Sequence, residues 1–172
     1  MVYNKYRTTR QLLLVNASME IPSYVTGLAD GEGCFSVSFS KRKKMTLGIE
    51  VRPSFAVSQH QRNKDIIFFL QQFFSCGGVR YSRSDQNYKY EVRSLSDLIT
   101  KVIPHFDNYP LQTSKKKDYL IFRQICELMK KNFHRQPSGL RKIINLAHTM
   151  NEAGERRYSS RNLLQMINKM KV

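Results

Sequence analysis

The chain has 172 residues, of which 29 are Lys or Arg and 13 are Asp or Glu, for a formal net charge of +16. Its content of hydrophobic residues, 41%, excludes a disordered basic tail and allows one globular domain with its own core. The charge calls for a polyanionic partner, nucleic acid first and an anionic membrane surface second. No apolar run nears the ~20 residues of a spanning helix. Three scattered cysteines, Cys34, Cys76 and Cys126, supply neither a disulfide framework nor a Cys-type zinc site.

Residues 1–20 show no clear period and read as a flexible N-terminal extension; Lys5, Arg7 and Arg10 precede an apolar stretch too short for a secretory signal. Pro22 suits a first helical position, and a short helix is predicted from there to Ala29, stopped at Asp30-Gly31-Glu32-Gly33. Phe35, Val37 and Phe39 then alternate with Ser36, Ser38 and Ser40, the pattern of a half-buried strand. Lys41-Arg42-Lys43-Lys44 reads as a hairpin tip. A second strand turns Ile49, Val51, Pro53, Phe55 and Val57 inward and Glu50, Arg52, Ser54, Ala56 and Ser58 outward; Pro53 marks an edge or a bulge. Asn63 to Phe74 is helical, ended by Cys76-Gly77-Gly78. A second hairpin follows, with Val79, Tyr81, Tyr88, Tyr90 and Val92 inward and Arg80, Ser82, Lys89, Glu91 and Arg93 outward.

Helices are next predicted from a Ser96 cap, from a Thr113 or Ser114 cap through Met129, over Leu140–Ala153 after a break at Pro137-Ser138-Gly139, and from Ser159 or Ser160 through Ile167. The order α-β-β-α-β-β-α-α-α defines an α+β fold with an antiparallel sheet, one face under the helices and the other polar. Such a face is either simply solvated or a platform that enters a DNA groove, and the charge favours the platform. The domain reading is an extension over 1–20, a core over 21–155 and a C-terminal helix over 156–172. His60, His105, His134 and His148 have no metal-ligand spacing.

Gly27 and Gly31 are four apart, on one helix face, where they let another backbone approach closely. Asp30 and Glu32 sit at the helix end that prefers cations, a poor place for acids unless a divalent ion reverses the local sign. Mg²⁺ takes oxygen ligands, one or two of them carboxylates.

Tyr24-Val25-Thr26-Gly27-Leu28-Ala29-Asp30-Gly31-Glu32-Gly33 resembles the motif of LAGLIDADG homing endonucleases. The resemblance extends over roughly residues 20–155, through Gly33-Cys34-Phe35-Ser36-Val37, Pro53-Ser54-Phe55-Ala56-Val57-Ser58-Gln59, Gly77-Gly78-Val79 and Pro110-Leu111-Gln112-Thr113-Ser114-Lys115-Lys116-Lys117-Asp118. It implies an αββαββα fold whose curved antiparallel sheet is a DNA-binding saddle, followed by C-terminal helices. By the same resemblance, Glu32 and the carbonyl of Gly31 are metal ligands, although the family often has Asp at the first. Asp30 positions the motif helix, Gln59 organises active-site water, and Lys115, with Lys116 as second choice, stabilises charge at the scissile phosphate. Arg62 is a weaker candidate for the same water network.

The motif occurs once, and single-motif relatives act as homodimers, which places Tyr24, Gly27, Leu28 and Gly31 in a dimer interface. DNA-contact candidates are Ser36, Ser38, Ser40, Lys41, Arg42, Lys43, Lys44, Arg52, Ser54, Arg62, Arg80, Ser82, Lys89 and Arg93. The expected activity is Mg²⁺-dependent, site-specific cleavage of both strands of duplex DNA for intron homing, with Mn²⁺ as substitute. The alternative is an RNA maturase that aids splicing of its intron. Expected compartments are mitochondrion or chloroplast in a eukaryote, otherwise bacterial or archaeal cytoplasm; secretion and membrane insertion are not expected.

Overall fold

A computed structural model describes residues 20–151 and 157–169. The predicted extension over 1–20 therefore lies, except for Glu20, outside the described residues. Helix α1 (residues 20–32) runs directly into β1 (Gly33–Lys41). A turn leads to β2 (Ile49–His60), and after a 3₁₀ turn at Gln61–Asn63 comes α2 (Lys64–Phe74). Strands β3 (Gly78–Ser82) and β4 (Asn87–Val92) follow. Helix α3 (Leu95–Asp97) passes through a π-helical turn, Leu98–Val102, into α4 (Ile103–Asn108). Helices α5 (Lys115–Lys130), α6 (Pro137–His148) and α7 (Ser160–Lys169) complete the chain.

The sheet is wholly antiparallel in the order β1-β2-β4-β3. Alternation sets its faces as expected: Phe35, Val37, Phe39, Val51, Phe55, Val57, Tyr90 and Val92 are buried beneath the helices. Phe35 is the hub, with ring centroids of Phe55, Phe106, Tyr119 and Phe122 all between 5.0 and 5.4 Å away. Truncating such a residue costs about 3–5 kcal/mol. Pro53 pairs with Val37 on one side; β4 joins β2 only from Phe55 onward, so the missing N–H of Pro53 breaks no ladder there. Leu163 and Ile167 of α7 are fully buried in the same apolar cluster as β1 and β2, so the C-terminal helix shares the core.

Several boundaries differ from the sequence expectation. Helix α1 already covers residues 20–21 and persists through Glu32, because Asp30 and Gly31 are held helical by contacts described below. Gly33 makes the direct helix-to-strand join possible: a Cβ there would lie 2.5 Å from the Ala29 carbonyl oxygen. Helix α2 ends at Ser75, which itself takes the left-handed conformation. Gly77 is then required by its φ of +74° and by the Glu91 carbonyl, 2.7 Å from where a Cβ would stand. The cap before Leu98 is Ser94, whose hydroxyl accepts from the Asp97 amide, and Ser96 lies inside the helix. Pro137 opens α6 rather than breaking the chain, and Gly139 is packed within that helix against the Phe133 backbone. Helix α6 ends at His148, five residues before the predicted Ala153. Tyr81, expected in the core, is 42% exposed, since β3 is an edge strand reached by little of the helical layer.

Candidate nucleic-acid interface and catalytic corner

The outer face of the sheet forms a concavity of about 280 Å³ lined by Glu32, Cys34, Ser36, Ser38, Arg52, Pro53, Ser54, Ala56, Ser58, Lys89, Glu91 and Arg93. Alternation puts Ser36, Ser38, Ser54, Arg52, Lys89 and Arg93 there as the sequence indicated. Their side chains are engaged with one another rather than free. Ser36 and Ser54 hydroxyls are 2.9 Å apart across the β1–β2 pair, and Ser38 donates to the Arg52 carbonyl. Ser40, Arg42 and Arg52 all donate to Glu50, at 3.0, 2.6 and 2.9 Å. Arg80, Lys89 and Arg93 surround Glu91 at 2.8, 3.5 and 2.9 Å. Burial pushes the Glu50 carboxyl pKa up, but the hydrogen bonds from Arg52, Ser40 and Arg42 outweigh it and hold the group below its ordinary value. Arg42, expected at a flexible hairpin tip, is thus pinned to β2. Lys41 lies 5.5 Å from the Tyr158 ring centroid, while Lys43 and Lys44 are exposed on the turn.

Glu32 stands exposed at one end of this face, the last residue of α1. Its neighbourhood is organised from α5. The Lys115 ammonium donates to the carbonyls of Ala29 and Gly31 at 3.0 and 3.2 Å, neutralising the negative end of α1. Asp30 turns away from the concavity: it accepts from the Gln112 amide at 2.7 Å and from the Thr113 amide and hydroxyl at 3.1 and 2.5 Å. Burial raises the pKa of Asp30, and those hydrogen bonds together with the Lys115 charge lower it further than burial raises it. Asp30 therefore ties the motif helix to the segment that delivers Lys115. Between the two lysines left open by the sequence, Lys115 reaches α1 and Lys116 is exposed.

Gln59 and Arg62 are not drawn into the concavity. Gln59 pairs with Tyr88, so it shares the face of Val57, opposite Ser58, and it accepts from Asn63 at 3.2 Å. Arg62 is exposed on the 3₁₀ turn, its amide on the His60 ring nitrogen. Ser82 meets Ser84 at 3.1 Å beside the β3–β4 turn. Sequence reasoning missed Glu50 and Glu91 as organisers of the cations; alternation alone placed them on the outer face, and that was the available signal.

Among the described residues no three His, Cys, Asp or Glu side chains are gathered for a metal ion. The donors at the corner, one Glu32 carboxylate and the Gly31 carbonyl, are oxygens of the kind a hard divalent cation takes. The carbonyl already faces a positive charge, the Lys115 ammonium. The residues present fit such an ion provided that most of its shell comes from water, phosphate and a second chain.

On α1, Gly27 and Gly31 are exposed, a Cβ at either would meet nothing within 4 Å, and Tyr24 is 56% exposed. Leu28 is half-buried. These residues share one helix face, which the other described residues leave open except at Leu28, packed partly against the core.

The family model described as LAGLIDADG endonuclease matches residues 25–126. Probable intron-encoded endonuclease 3 of Neurospora crassa is 32% identical over 148 residues, which are 86% of this chain and 27% of that protein. The chain thus spans about a quarter of that relative's length. The crystal structure of the homing endonuclease I-TnaI superposes with a TM-score of 0.75 at 35% identity, covering 87% of this chain and 97% of the other. The I-LtrWI LAGLIDADG homing endonuclease, bound to its target DNA, gives a TM-score of 0.74 at 28% identity, over 76% of this chain and 44% of the other. The chain belongs to the LAGLIDADG family of homing endonucleases.

Proposed function

We propose that the chain is a site-specific, divalent-cation-dependent endonuclease that cuts both strands of duplex DNA, working as a homodimer. The single observation that carries this is the placement of Glu32 at the end of a concave, cation-rich sheet face, with Lys115 held at the same helix terminus. The DNA-bound I-LtrWI structure supports the saddle as the duplex surface. Arg52, Arg80, Lys89 and Arg93 on the strands, with Lys43 and Lys44 on the turn, bind and orient the duplex. Glu32 and the Gly31 carbonyl would hold the cation, Mg²⁺ or in its place Mn²⁺, which when bound activates water and offsets phosphate charge. Lys115 stabilises negative charge developing at the scissile phosphate, and Asp30 keeps that lysine in reach through Thr113.

One chain provides one such carboxylate. The open α1 face of Tyr24, Gly27 and Gly31 supports pairing with a second copy about a two-fold axis, which brings two cutting corners to opposite strands. The endonuclease core comprises residues 21–155, and α7 adds Leu163 and Ile167 to its apolar cluster. Relatives encoded in fungal ND4 and cox1 introns support action in a eukaryotic organelle, the mitochondrion foremost. No helix of the described residues is long and apolar enough to cross a membrane.

One observation favours the RNA maturase as a second reading. Tyr81 is exposed and lies over Tyr88 at 4.8 Å, with Phe68 behind at 5.7 Å, and unpaired bases stack on such rings. Cleavage of a target-site library with Mg²⁺ tests the main reading. Cutting by the wild-type protein and none by Glu32→Gln supports it; no cutting together with tight binding of intron RNA that Tyr81→Ala abolishes supports the second.

A further inference from the structure

Besides Glu32 at its end, two carboxylates, Glu50 and Glu91, stand on the surface that the endonuclease reading assigns to DNA, where an acid ought to repel the ligand. Each is covered by the cations it binds. The Glu91 side chain is 8% exposed, while those of Arg80, Lys89 and Arg93 around it are 62%, 41% and 59% exposed. The Glu50 side chain is 17% exposed beneath Arg42 and Arg52, at 53% and 48%. The carboxylates are therefore too deep to touch a base themselves and act through the guanidiniums above them.

The way those guanidiniums are held matters. Arg93 donates to Glu91 through Nε, and Arg80 through one terminal nitrogen. Arg42 donates to Glu50 through one terminal nitrogen, and Arg52 through Nε and one terminal nitrogen. A guanidinium carries five N–H donors in a rigid plane. Held along one edge, it can present another edge with two parallel donors, which is what O6 and N7 of guanine accept in the major groove. An unheld arginine on a long stem reaches any nearby phosphate equally well, giving affinity without sequence information.

We propose that Glu50 and Glu91 are positioning residues for sequence readout: they fix the arginines as forks aimed at guanine edges and suppress indiscriminate phosphate binding. This rests on the duplex-DNA reading above. The Glu91 cluster keeps net positive charge, so steering toward DNA survives while each cation loses its freedom to wander.

The test is selection of binding sites from a library of duplexes of randomised sequence, with chelator present so that no strand is cut. It is run on the wild type, Glu91→Gln and Glu50→Gln, alongside titration of an unselected duplex at several salt concentrations. The wild type is expected to enrich a defined site containing G·C pairs. In Glu91→Gln, preference at a subset of those pairs falls about tenfold, as loss of one well-placed bidentate contact does. Unselected duplex then binds several-fold tighter, with a salt slope steeper by about one counterion. Glu50→Gln does the same at different pairs.

Arg93→Lys provides an arm that leaves the carboxylate in place: it keeps the charge but not the fork, and should lose the same G·C preference as Glu91→Gln without the several-fold gain in unselected binding. Retained wild-type preference in Arg93→Lys, or in both glutamine variants, overturns the inference, as does a proportional loss of selected and unselected binding. A wild-type protein that enriches no duplex sequence overturns the endonuclease reading itself, and this inference with it.

Discussion

Asp30 and Thr113 are 83 positions apart, yet the Asp30 carboxylate takes both the amide and the hydroxyl of Thr113. The same carboxylate takes the Gln112 amide, so three donors of the α5 approach converge on the end of α1. Asp30→Asn keeps the size but removes the charge and an acceptor. We expect a loss of about 1–2 kcal/mol at neutral pH, read by urea unfolding. Because the folded pKa lies below the ordinary 3.8, this contribution is whole above pH 3.8 and disappears as pH falls through the lower folded value. The difference between wild type and variant should therefore close only in strong acid.

Lys115 serves two carbonyls at the negative end of α1. Lys115→Met is expected to lower the cleavage rate by about 10²–10³-fold, the usual cost of a removed charge-stabilising donor. Duplex binding, measured by fluorescence anisotropy, should change by less than about tenfold. Lys116→Met, altering an exposed neighbour, should leave cleavage within about threefold of wild type. Equal losses for both variants would detach Lys115 from the chemistry.

On the proposed pairing through α1, Gly27 separates the fold of one chain from dimerisation. Among the described residues nothing within 4 Å opposes a side chain there, and helix propensity favours Ala over Gly by about 1 kcal/mol. Gly27→Leu should melt at or above the wild-type temperature and yet sediment as a monomer where the wild type is a dimer. A dimeric Gly27→Leu protein would remove the α1 face from the interface.

His105 is buried, its Nε2 3.1 Å from the Thr26 hydroxyl and its ring against Phe73, Phe74, Phe106 and Tyr109. Burial pushes its pKa down to about 4. The unfolded chain takes up this proton near 6.5 and the folded one does not until about 4, so stability falls as pH drops across that window. The loss is bounded at about 3 kcal/mol. His105→Gln should flatten unfolding free energy between pH 6.5 and 4 relative to wild type.

What could be read from the residues was whatever repeats locally. Phe35, Val37 and Phe39 against Ser36, Ser38 and Ser40 state a strand and its two faces, since side-chain direction in a strand has period two. The hairpin pairs followed from the same arithmetic, and the motif helix from Pro22 near its start. Boundaries that depend on distant partners were not legible: α1 outlasts Ala29 because residues more than eighty positions away, around Thr113 and at Lys115, hold its last turn. Tyr81 alternates like a core residue but lies on an edge strand, and strand order is not written in a local pattern. At the corner, the position of Glu32 was legible through the motif and that of Lys115 through the Pro110–Asp118 stretch, where only the contacts of Lys115 with α1 decide between Lys115 and Lys116. The engagement of Arg42 and Arg80 was not legible, because ion pairing across neighbouring strands depends on register; Arg52, Lys89 and Arg93 sit two residues from Glu50 or Glu91, where alternation shares out the face without stating that the side chains pair.

The join at Gly33 has a consequence for how such a protein could change its target. With no loop between α1 and β1, the carboxylate at the helix end and the side chains on the strands move as one rigid piece. On the endonuclease reading the fold would then act as a ruler: the number of base pairs between the positions read and the bond cut would be fixed by strand rise and not by a hinge. Exchanging side chains on the saddle would redirect the protein to a new sequence while the offset of the cut from that sequence stayed the same.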